Sequence, residues 1–235
     1  MEQTVQTPPM QRLDRRTART RKALREALAA EVMATGDLTR VTVTAVTERA
    51  DVTRRTFYSH FRDIPDLVDA IETETIAELE PVVERLAPVN LPGLKAAIDA
   101  AEPCPGSIEL LAFFKERGSY LAPLMGEGGD PGFVERIKAM VHGTITSRAM
   151  HGMDARAIPF LDYYLSFAIS AEAGVLVRWL TGGMHESVGT TARLMTALMF
   201  VRPGDLYGRP IDFDIPTLAA RAIALQKEFS DVSSL

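Results

Sequence analysis

Apolar residues recur every three or four positions over most of the chain, which is the spacing of one face of an α-helix. Leu24, Leu28 and Val32 form the first such stripe, and Gly36 then marks a helix end, so a helix is predicted over about 15–35. No segment alternates apolar and polar residues in the manner of a half-buried strand. The pattern therefore predicts an all-α fold.

Residues 42–61 predict two short helices joined by a tight turn at 50–53. A hydroxyl that can accept a hydrogen bond from an otherwise unpaired amide stands at the start of each helix, at Thr42 and at Thr53. Asp51 occupies the turn, at a position that often requires a positive φ, which aspartate tolerates. This arrangement predicts a helix-turn-helix.

The second of these helices, predicted over 54–61, carries groups that suit DNA. Phe57 and Phe61 are four residues apart and are expected to face the core. The second helix of a helix-turn-helix lies in the major groove, where its first residues meet base edges. The side chains left on its other faces are Arg54, Arg55, Tyr58, Ser59 and His60. They predict that the protein binds DNA.

A longer helical body is predicted after this head. Asp63 is expected to cap a fourth helix that runs to about residue 80, where Pro81 bends or restarts it. Further helices are predicted near 93–101, 107–121, 131–149, 155–181, 187–200 and 216–229. The 155–181 helix is apolar on nearly all sides, so it is expected to be buried on most of them.

Three units are predicted along the chain: a disordered tail over 1–14, a helix-turn-helix DNA-binding domain over 15–62 and a larger helical domain over 63–235. The net charge of −5 divides unevenly between them. Residues 1–62 carry twelve Lys and Arg against seven Asp and Glu, and the rest carries fourteen against twenty-four. A basic head on an acidic body predicts that only the head meets phosphate.

A basic cluster precedes the helix-turn-helix and is expected to follow the DNA backbone or to enter the minor groove. Its members are Arg12, Arg15, Arg16, Arg19, Arg21, Lys22 and Arg25. The alternative is that these side chains form only a solvated helix face.

Composition excludes several other classes of protein. One cysteine, Cys104, excludes an internal disulfide framework and a multi-cysteine zinc site. His142, His151 and His185 lack ligand spacing, so no metal is expected. Neither a catalytic set nor a phosphate loop is visible, so neither an enzyme nor a cofactor is predicted. The first ten residues are polar and no apolar run approaches the roughly 20 residues of a spanning helix, so a cytoplasmic protein with no membrane partner is expected.

These residues together resemble the TetR family of bacterial transcriptional repressors. The likeness covers 15–75, about a quarter of the chain, and is carried by the Leu24 stripe ending at Gly36, by segments 42–46, 50–53 and 56–61, and by Asp63 and Leu67. A second likeness runs from Phe167 through Gly174, Val177, Trp179-Leu180 and Gly182-Gly183 to a helix from Ser187. In the family, the two late helices build a dimer interface.

Three positions depart from the family pattern. Asp51 stands where the family usually has Gly, and Thr47 where it has a small Ala, which predicts slightly looser packing there. Ile64 replaces a Lys that holds a phosphate, so that contact is in doubt, with Arg62 as its replacement.

The resemblance implies DNA-facing residues at Thr42, Thr44, Arg54, Arg55, Thr56, Tyr58 and His60. Side-chain chemistry agrees, because an arginine can pair with guanine O6 and N7 while hydroxyls suit phosphate. Thr53 is added as a phosphate-binding hydroxyl and Arg19 as a member of the basic cluster. For His60 the alternative is a partly packed histidine.

A dimer is expected, because one small head makes too few contacts for a selective operator, whereas two heads on a two-fold axis read a palindrome. Helices 155–181 and 187–200 are predicted to form it, through Ala168, Ala171, Gly174, Leu194, Leu198 and Val201. The alternative is that these helices are buried within one monomer.

The resemblance also implies a small-molecule pocket in the body, for an apolar or aromatic effector. Its predicted lining is Phe113, Phe114, Tyr120, Met125, Met140, Tyr163, Tyr164 and Phe167. Aromatic and Met side chains suit an adaptable cavity, although residues of these types more often form an ordinary core.

The sequence therefore predicts a homodimeric repressor that a small molecule releases from a palindromic operator. Two alternatives stay open. The first is a DNA-binding regulator that a protein partner controls or that activates transcription. The second is an all-α ligand carrier or enzyme whose head is incidental.

Overall fold

The computed structural model describes residues 9–86, 96, 97, 100, 102–149 and 158–198, and in this part of the chain all regular structure is helical. The predicted all-α class is confirmed. The helices are α1 (Pro9–Thr35), α2 (Val43–Arg49), α3 (Arg54–Tyr58), α4 (Ile64–Leu86), α5 (Ser107–Glu116), α6 (Gly118–Met125), α7 (Pro131–Ala149), α8 (Ile158–Thr181) and α9 (Val188–Leu198).

Helix α1 forms the centre of the head. Its stripe of Leu24, Leu28 and Val32 is buried, as predicted, and α2 packs against it. Gly36 ends the helix with a φ of +66°, and its N–H donates to the Val32 carbonyl at 2.8 Å. The helix begins at Pro9, so residues 9–14 of the predicted disordered tail lie in α1, while residues 1–8 lie outside the described part.

The helix-turn-helix has the predicted turn and a shorter second helix. Asp51 has a φ of 52°, the left-handed conformation expected of it. Helix α3 ends at Tyr58 rather than at Phe61, because Ser59 and His60 form a turn that brings Phe61 back to the core. Phe57 is fully buried and Phe61 nearly so, which confirms their predicted core role.

Helix α4 links head to body and passes through Pro81 without ending, contrary to the predicted end near residue 80. Asp63 caps it by accepting from the Asp66 N–H at 2.8 Å. A proline interrupts the hydrogen bond to the carbonyl four residues earlier. That residue, Ala77, is exposed, as is Pro81, so water can take the place of the lost bond.

The predicted 107–121 helix is two helices, α5 and α6, separated by Arg117. Helix α6 packs against α1, and α7 packs against α4. The head therefore shares one continuous core with the body. Of the predicted 93–101 helix only residues 96, 97 and 100 are described, and the predicted 216–229 helix lies outside the described residues.

Helix α8 is less buried in the single chain than its composition predicted. Its buried residues, Leu176, Trp179 and Leu180, lie near its C-terminal end, where α5 and α6 pack on it. Tyr163 and Phe167, nearer its start, are 73% and 71% exposed. The expectation of burial on most sides is therefore wrong for one chain. Among the described helices, none is both long enough and apolar enough to cross a membrane.

Candidate nucleic-acid interface

Two threonine caps set the starts of α2 and α3. The Thr42 hydroxyl accepts from the Ala45 N–H at 3.2 Å, and the Thr53 hydroxyl accepts from the Thr56 N–H at 3.1 Å. Both threonines are exposed, and each cap uses only an acceptor lone pair of the hydroxyl. The Thr53 and Thr56 hydroxyls also share a hydrogen bond of 2.9 Å. These side chains thus shape the backbone first, and their predicted contacts with DNA stay a prediction.

Phe57 anchors α3 and decides which of its side chains face solvent. Its ring is fully buried, between the rings of Tyr58 at 5.5 Å and Phe61 at 5.9 Å between centroids. Arg54 and Arg55 are exposed, and Tyr58 is 59% exposed. The anchor therefore leaves two guanidinium groups and a phenol on the outside of a short helix.

Arg54 is tied to the neighbouring helix. Its guanidinium donates a hydrogen bond from Nη2 to the hydroxyl of Thr44 on α2. The predicted DNA-facing Thr44 is thus a partner of Arg54. This bond restricts the rotamers of a long side chain before any ligand arrives, which sequence spacing alone does not reveal.

His60 and Thr47 have local roles in the head. The His60 ring is half-buried, with its centroid 6.1 Å from that of Phe61. Thr47 is buried at the place where an alanine was expected, and its hydroxyl donates to the Thr44 carbonyl at 3.0 Å. The extra polar group in the core therefore has a hydrogen-bond partner.

The basic cluster of α1 divides into two groups. Arg21 pairs with Glu74 of α4 and lies 5.5 Å from the centroid of the Phe61 ring. Arg25 lies 4.3 Å from the centroid of the Tyr120 ring on α6. These two hold α1 to its neighbours by ion-pair and cation–π contacts. The described members that remain exposed are Arg16, Arg19 and Lys22, while the side chains of Arg12 and Arg15 lie outside the described ones.

Ile64 is one of the three positions that depart from the family pattern, and Arg62 is the residue expected to replace its phosphate contact. Ile64 is buried, so this position contributes to the core. Arg62 pairs with Asp66 at 2.8 Å, yet 85% of its side chain is exposed. Their hydrogen bond raises the pKa of Arg62 and lowers the pKa of Asp66. Arg62 thus keeps its charge next to the start of α4, where a phosphate contact was expected.

The structure does not bring the eight predicted pocket residues together. Phe113, Phe114, Tyr120 and Met125 are buried core residues, and Met140 is half-buried. Tyr163, Tyr164 and Phe167 are exposed on α8. A shallow cavity of about 390 Å³ does lie between α4 and α5, lined by Phe113 together with polar side chains such as Glu78 and Arg117.

The predicted dimerisation residues that the structure describes lie on α8 and α9, and most of them are exposed. Ala171 and Gly174 are exposed and Ala168 is half-buried. Leu194 and Leu198 are exposed on α9, while Val201 lies outside the described residues. Tyr163 and Phe167, which were expected in the pocket, are exposed on the same helix as Ala171. The sequence did not predict that Tyr163 and Phe167 lie at the surface, because aromatic side chains are typical of protein cores.

Histidine and acidic residues do not form a metal site in the described part of the chain, where no group of three or more candidate ligands converges. His142 of α7 instead lies 3.0 Å from a carboxylate oxygen of Asp162 on α8. Of the two other histidines considered as metal ligands, His185 is exposed and His151 lies outside the described residues.

Comparison with protein families gives two matches. Residues 27–71 match a family model described as bacterial regulatory proteins, tetR family. Residues 102–200 match a model described as a transcriptional regulator C-terminal region. Searches of curated proteins and of solved structures gave no match. The first match contains the two threonine caps, the turn at Asp51 and the Phe57 anchor, and the second contains α5 to α9.

Proposed function

The chain belongs to the TetR family of bacterial regulatory proteins and is a DNA-binding transcriptional regulator, and we propose that it is a homodimeric repressor which a small molecule releases from a palindromic operator. The observation that carries the DNA-reading part is the outward face of α3. Phe57 is fully buried there, while Arg54, Arg55 and Tyr58 are exposed.

Arg54 and Arg55 are proposed to read bases in the major groove. A bidentate arginine pair with guanine is worth about 1–3 kcal/mol of discrimination against the wrong base. The hydrogen bond from Arg54 to Thr44 supports this role, because a guanidinium that is already held loses less entropy on binding. The proposed phosphate contacts, which position the head without reading sequence, are Thr42, Thr53, Thr56, Tyr58, His60 and Arg19.

The proposed dimer uses the exposed face of α8 and α9. Phe167 on α8 and Leu194 and Leu198 on α9 are large apolar side chains that a single chain leaves in water. Large apolar patches on soluble proteins usually mark interaction sites. A two-fold axis through this face would make the contact isologous and would set two heads at a fixed spacing.

Release by a ligand requires a mechanical link between body and head. The loop between α6 and α7 supplies one, because the Leu38 N–H donates to the Gly128 carbonyl at 2.7 Å. Helix α6 also packs along α1. The effector shifts the equilibrium only if it binds the DNA-free arrangement better than the DNA-bound one.

Two further parts of the proposal follow from the family. Its regulators are generally non-enzymatic DNA-binding proteins, and we propose no catalytic activity for this chain. Its place of action is proposed to be the cytoplasm, where bacterial DNA lies. Control by a protein partner, or activation of transcription, is the second candidate, and the exposed face of α8 is the surface that such a partner would need.

Binding to the DNA upstream of the protein's own gene tests the proposal, measured by gel shift or fluorescence anisotropy. Arg54→Ala combined with Arg55→Ala should lower operator affinity at least tenfold and leave the oligomeric state unchanged. The matched control is Arg85→Ala with Lys115→Ala, which removes two exposed cations from the body. Equal operator affinity for the wild type and the Arg54/Arg55 double variant would exclude the proposed role of α3.

A further inference from the structure

The two arginines of α3 differ in how the head holds them. The guanidinium of Arg54 donates from Nη2 to the hydroxyl of Thr44 on α2. The neighbouring Arg55 is exposed, and none of the described residues forms a hydrogen bond or an ion pair with its guanidinium. Arg54 therefore has a partner that directs it before DNA arrives, whereas Arg55 keeps its rotamer freedom.

Thr44 is well placed to hold a cation. It is the second residue of α2, whose start is capped by the Thr42 hydroxyl, and it is half-buried. The Thr47 hydroxyl donates to the Thr44 carbonyl at 3.0 Å, within the same helix. A β-branched side chain in a helix has few rotamers, so its hydroxyl oxygen has few positions. The acceptor that Arg54 uses is therefore fixed by the backbone of α2.

The hydrogen bond to Thr44 leaves Arg54 able to read a base, because a guanidinium has further N–H donors for a bidentate pair with guanine O6 and N7. Segments 42–45 and 53–60 contain no Asn or Gln, whose amides pair with adenine. They contain no Asp or Glu either, whose carboxylates accept from cytosine. Guanine is therefore the base that this surface can read through a bidentate pair.

We infer that Thr44 is a positioning residue, which directs Arg54 at one guanine in each operator half-site. This role rests on the proposed operator binding and adds to it the base that is read and the residue that orients its reader. A guanidinium that is already held loses less entropy on binding, but it cannot follow a base at another position. Discrimination should therefore be strict at this guanine and weaker wherever Arg55 binds.

The test begins with selection of duplexes from a random pool by the full-length protein, which supplies the operator. Each guanine of the half-site is then replaced by 7-deazaguanine, which keeps O6 and Watson–Crick pairing but lacks the N7 acceptor. Fluorescence anisotropy should show wild-type affinity falling about fivefold or more at one position. The Arg54→Ala variant should bind the normal duplex and that 7-deazaguanine duplex equally.

Variants of Thr44 separate positioning from direct contact. Thr44→Val removes the hydroxyl and keeps the side-chain shape, so it should discriminate less between guanine and 7-deazaguanine, whereas Thr44→Ser should behave as the wild type. Arg55→Ala should weaken binding to both duplexes by the same factor. The matched control is Thr181→Val, which removes an exposed hydroxyl that donates to the Val177 carbonyl at the end of α8, and it should change neither affinity.

The positioning role has outcomes that would overturn it. An equal loss of affinity for all duplexes in Thr44→Val would make Thr44 a phosphate contact, because phosphate contacts carry no sequence information. A further loss of discrimination on adding Thr44→Val to Arg54→Ala would show that Thr44 acts independently of Arg54. Loss of the guanine preference in Arg55→Ala would assign the reading to the wrong arginine. If Thr44→Val fails to fold, Thr44→Ala removes the same hydroxyl and is measured instead.

The DNA side of the experiment separates this role from the proposed function. An enriched operator whose affinity no 7-deazaguanine changes would overturn guanine reading by Arg54 and leave operator binding intact. A pool in which no duplex is enriched would refute operator binding itself, and the role of Thr44 with it.

Discussion

Gly128→Ala should break the contact between the body and the head, because the loop before α7 meets the end of α1 at this glycine. A Cβ built on Gly128 lies 2.1 Å from the carbonyl oxygen of Gly36 and 3.3 Å from the backbone nitrogen of Asp37. Both are backbone atoms, so no side-chain rotation relieves the overlap. The φ of Gly128 is +85°, which L residues rarely adopt.

The cost of this substitution has two parts. A residue with a Cβ in the left-handed region loses about 1–2 kcal/mol relative to glycine. If the loop moves away to relieve the overlap, the hydrogen bond of 2.7 Å from the Leu38 N–H to the Gly128 carbonyl is also lost, at about 1 kcal/mol. The free energy of unfolding should therefore fall by about 2–3 kcal/mol, a large part of the 5–15 kcal/mol typical of a domain.

Urea denaturation at 25 °C measures this change. Gly143→Ala is the matched control, because Gly143 lies in α7 and a Cβ built there has no atom within 4 Å. Alanine favours a helix, so the control should be neutral or stabilising by up to about 1 kcal/mol. A Gly128→Ala variant within about 0.5 kcal/mol of the wild type would refute the reasoning that this loop is held against α1.

Two further predictions concern α8. Phe167→Arg places a charge at an exposed position of the proposed dimer interface, so the variant should sediment as a monomer at micromolar concentration. The control is Ile108→Arg, at an exposed isoleucine of α5, which should leave the dimer intact. Equal sedimentation of the two variants would speak against this interface. Burial raises the pKa of Glu172 to about 7 from 4.5, so its carboxyl stays protonated in the folded chain while the unfolded chain ionises. The destabilisation from this group therefore grows as pH rises from about 4.5 to 7. Glu172→Gln should raise the free energy of unfolding at pH 8 by about 1–2 kcal/mol, after allowance for partial exposure, and change it little at pH 4.5. An equal increase in the free energy of unfolding at pH 8 and at pH 4.5 would contradict the raised pKa of Glu172.

The local structure of the head follows from short stretches of sequence. Thr42 and Thr53 accept hydrogen bonds from amides three residues ahead, and Asp51 takes its positive φ within one turn. Phe57 and Phe61 are both buried, Phe57 from within α3 and Phe61 just after the turn at Ser59 and His60. Each of these features depends on residues within one helical turn, which is why the sequence alone predicts them.

Long-range features could not be read in the same way. Arg21 and Arg25 belong to a basic run in the sequence, but each is engaged by a residue more than fifty positions away, Glu74 and Tyr120. Similarly, Phe113 is buried and Phe167 is exposed, although both were expected to line the pocket that the family resemblance implies. Residue type decides what a side chain can do, while the packing of distant helices decides which partner it meets.

The sequence by itself therefore determined the all-α class, the caps and turn of the head and the two exposed arginines of α3. Only the tertiary structure decided that Gly128 of the body meets Gly36 of the head and that Arg136 of α7 meets Glu72 of α4. The physical reason is the separation along the chain. Contacts within a turn are set by backbone geometry, whereas contacts between distant segments exist only after the helices pack and bury their apolar faces together.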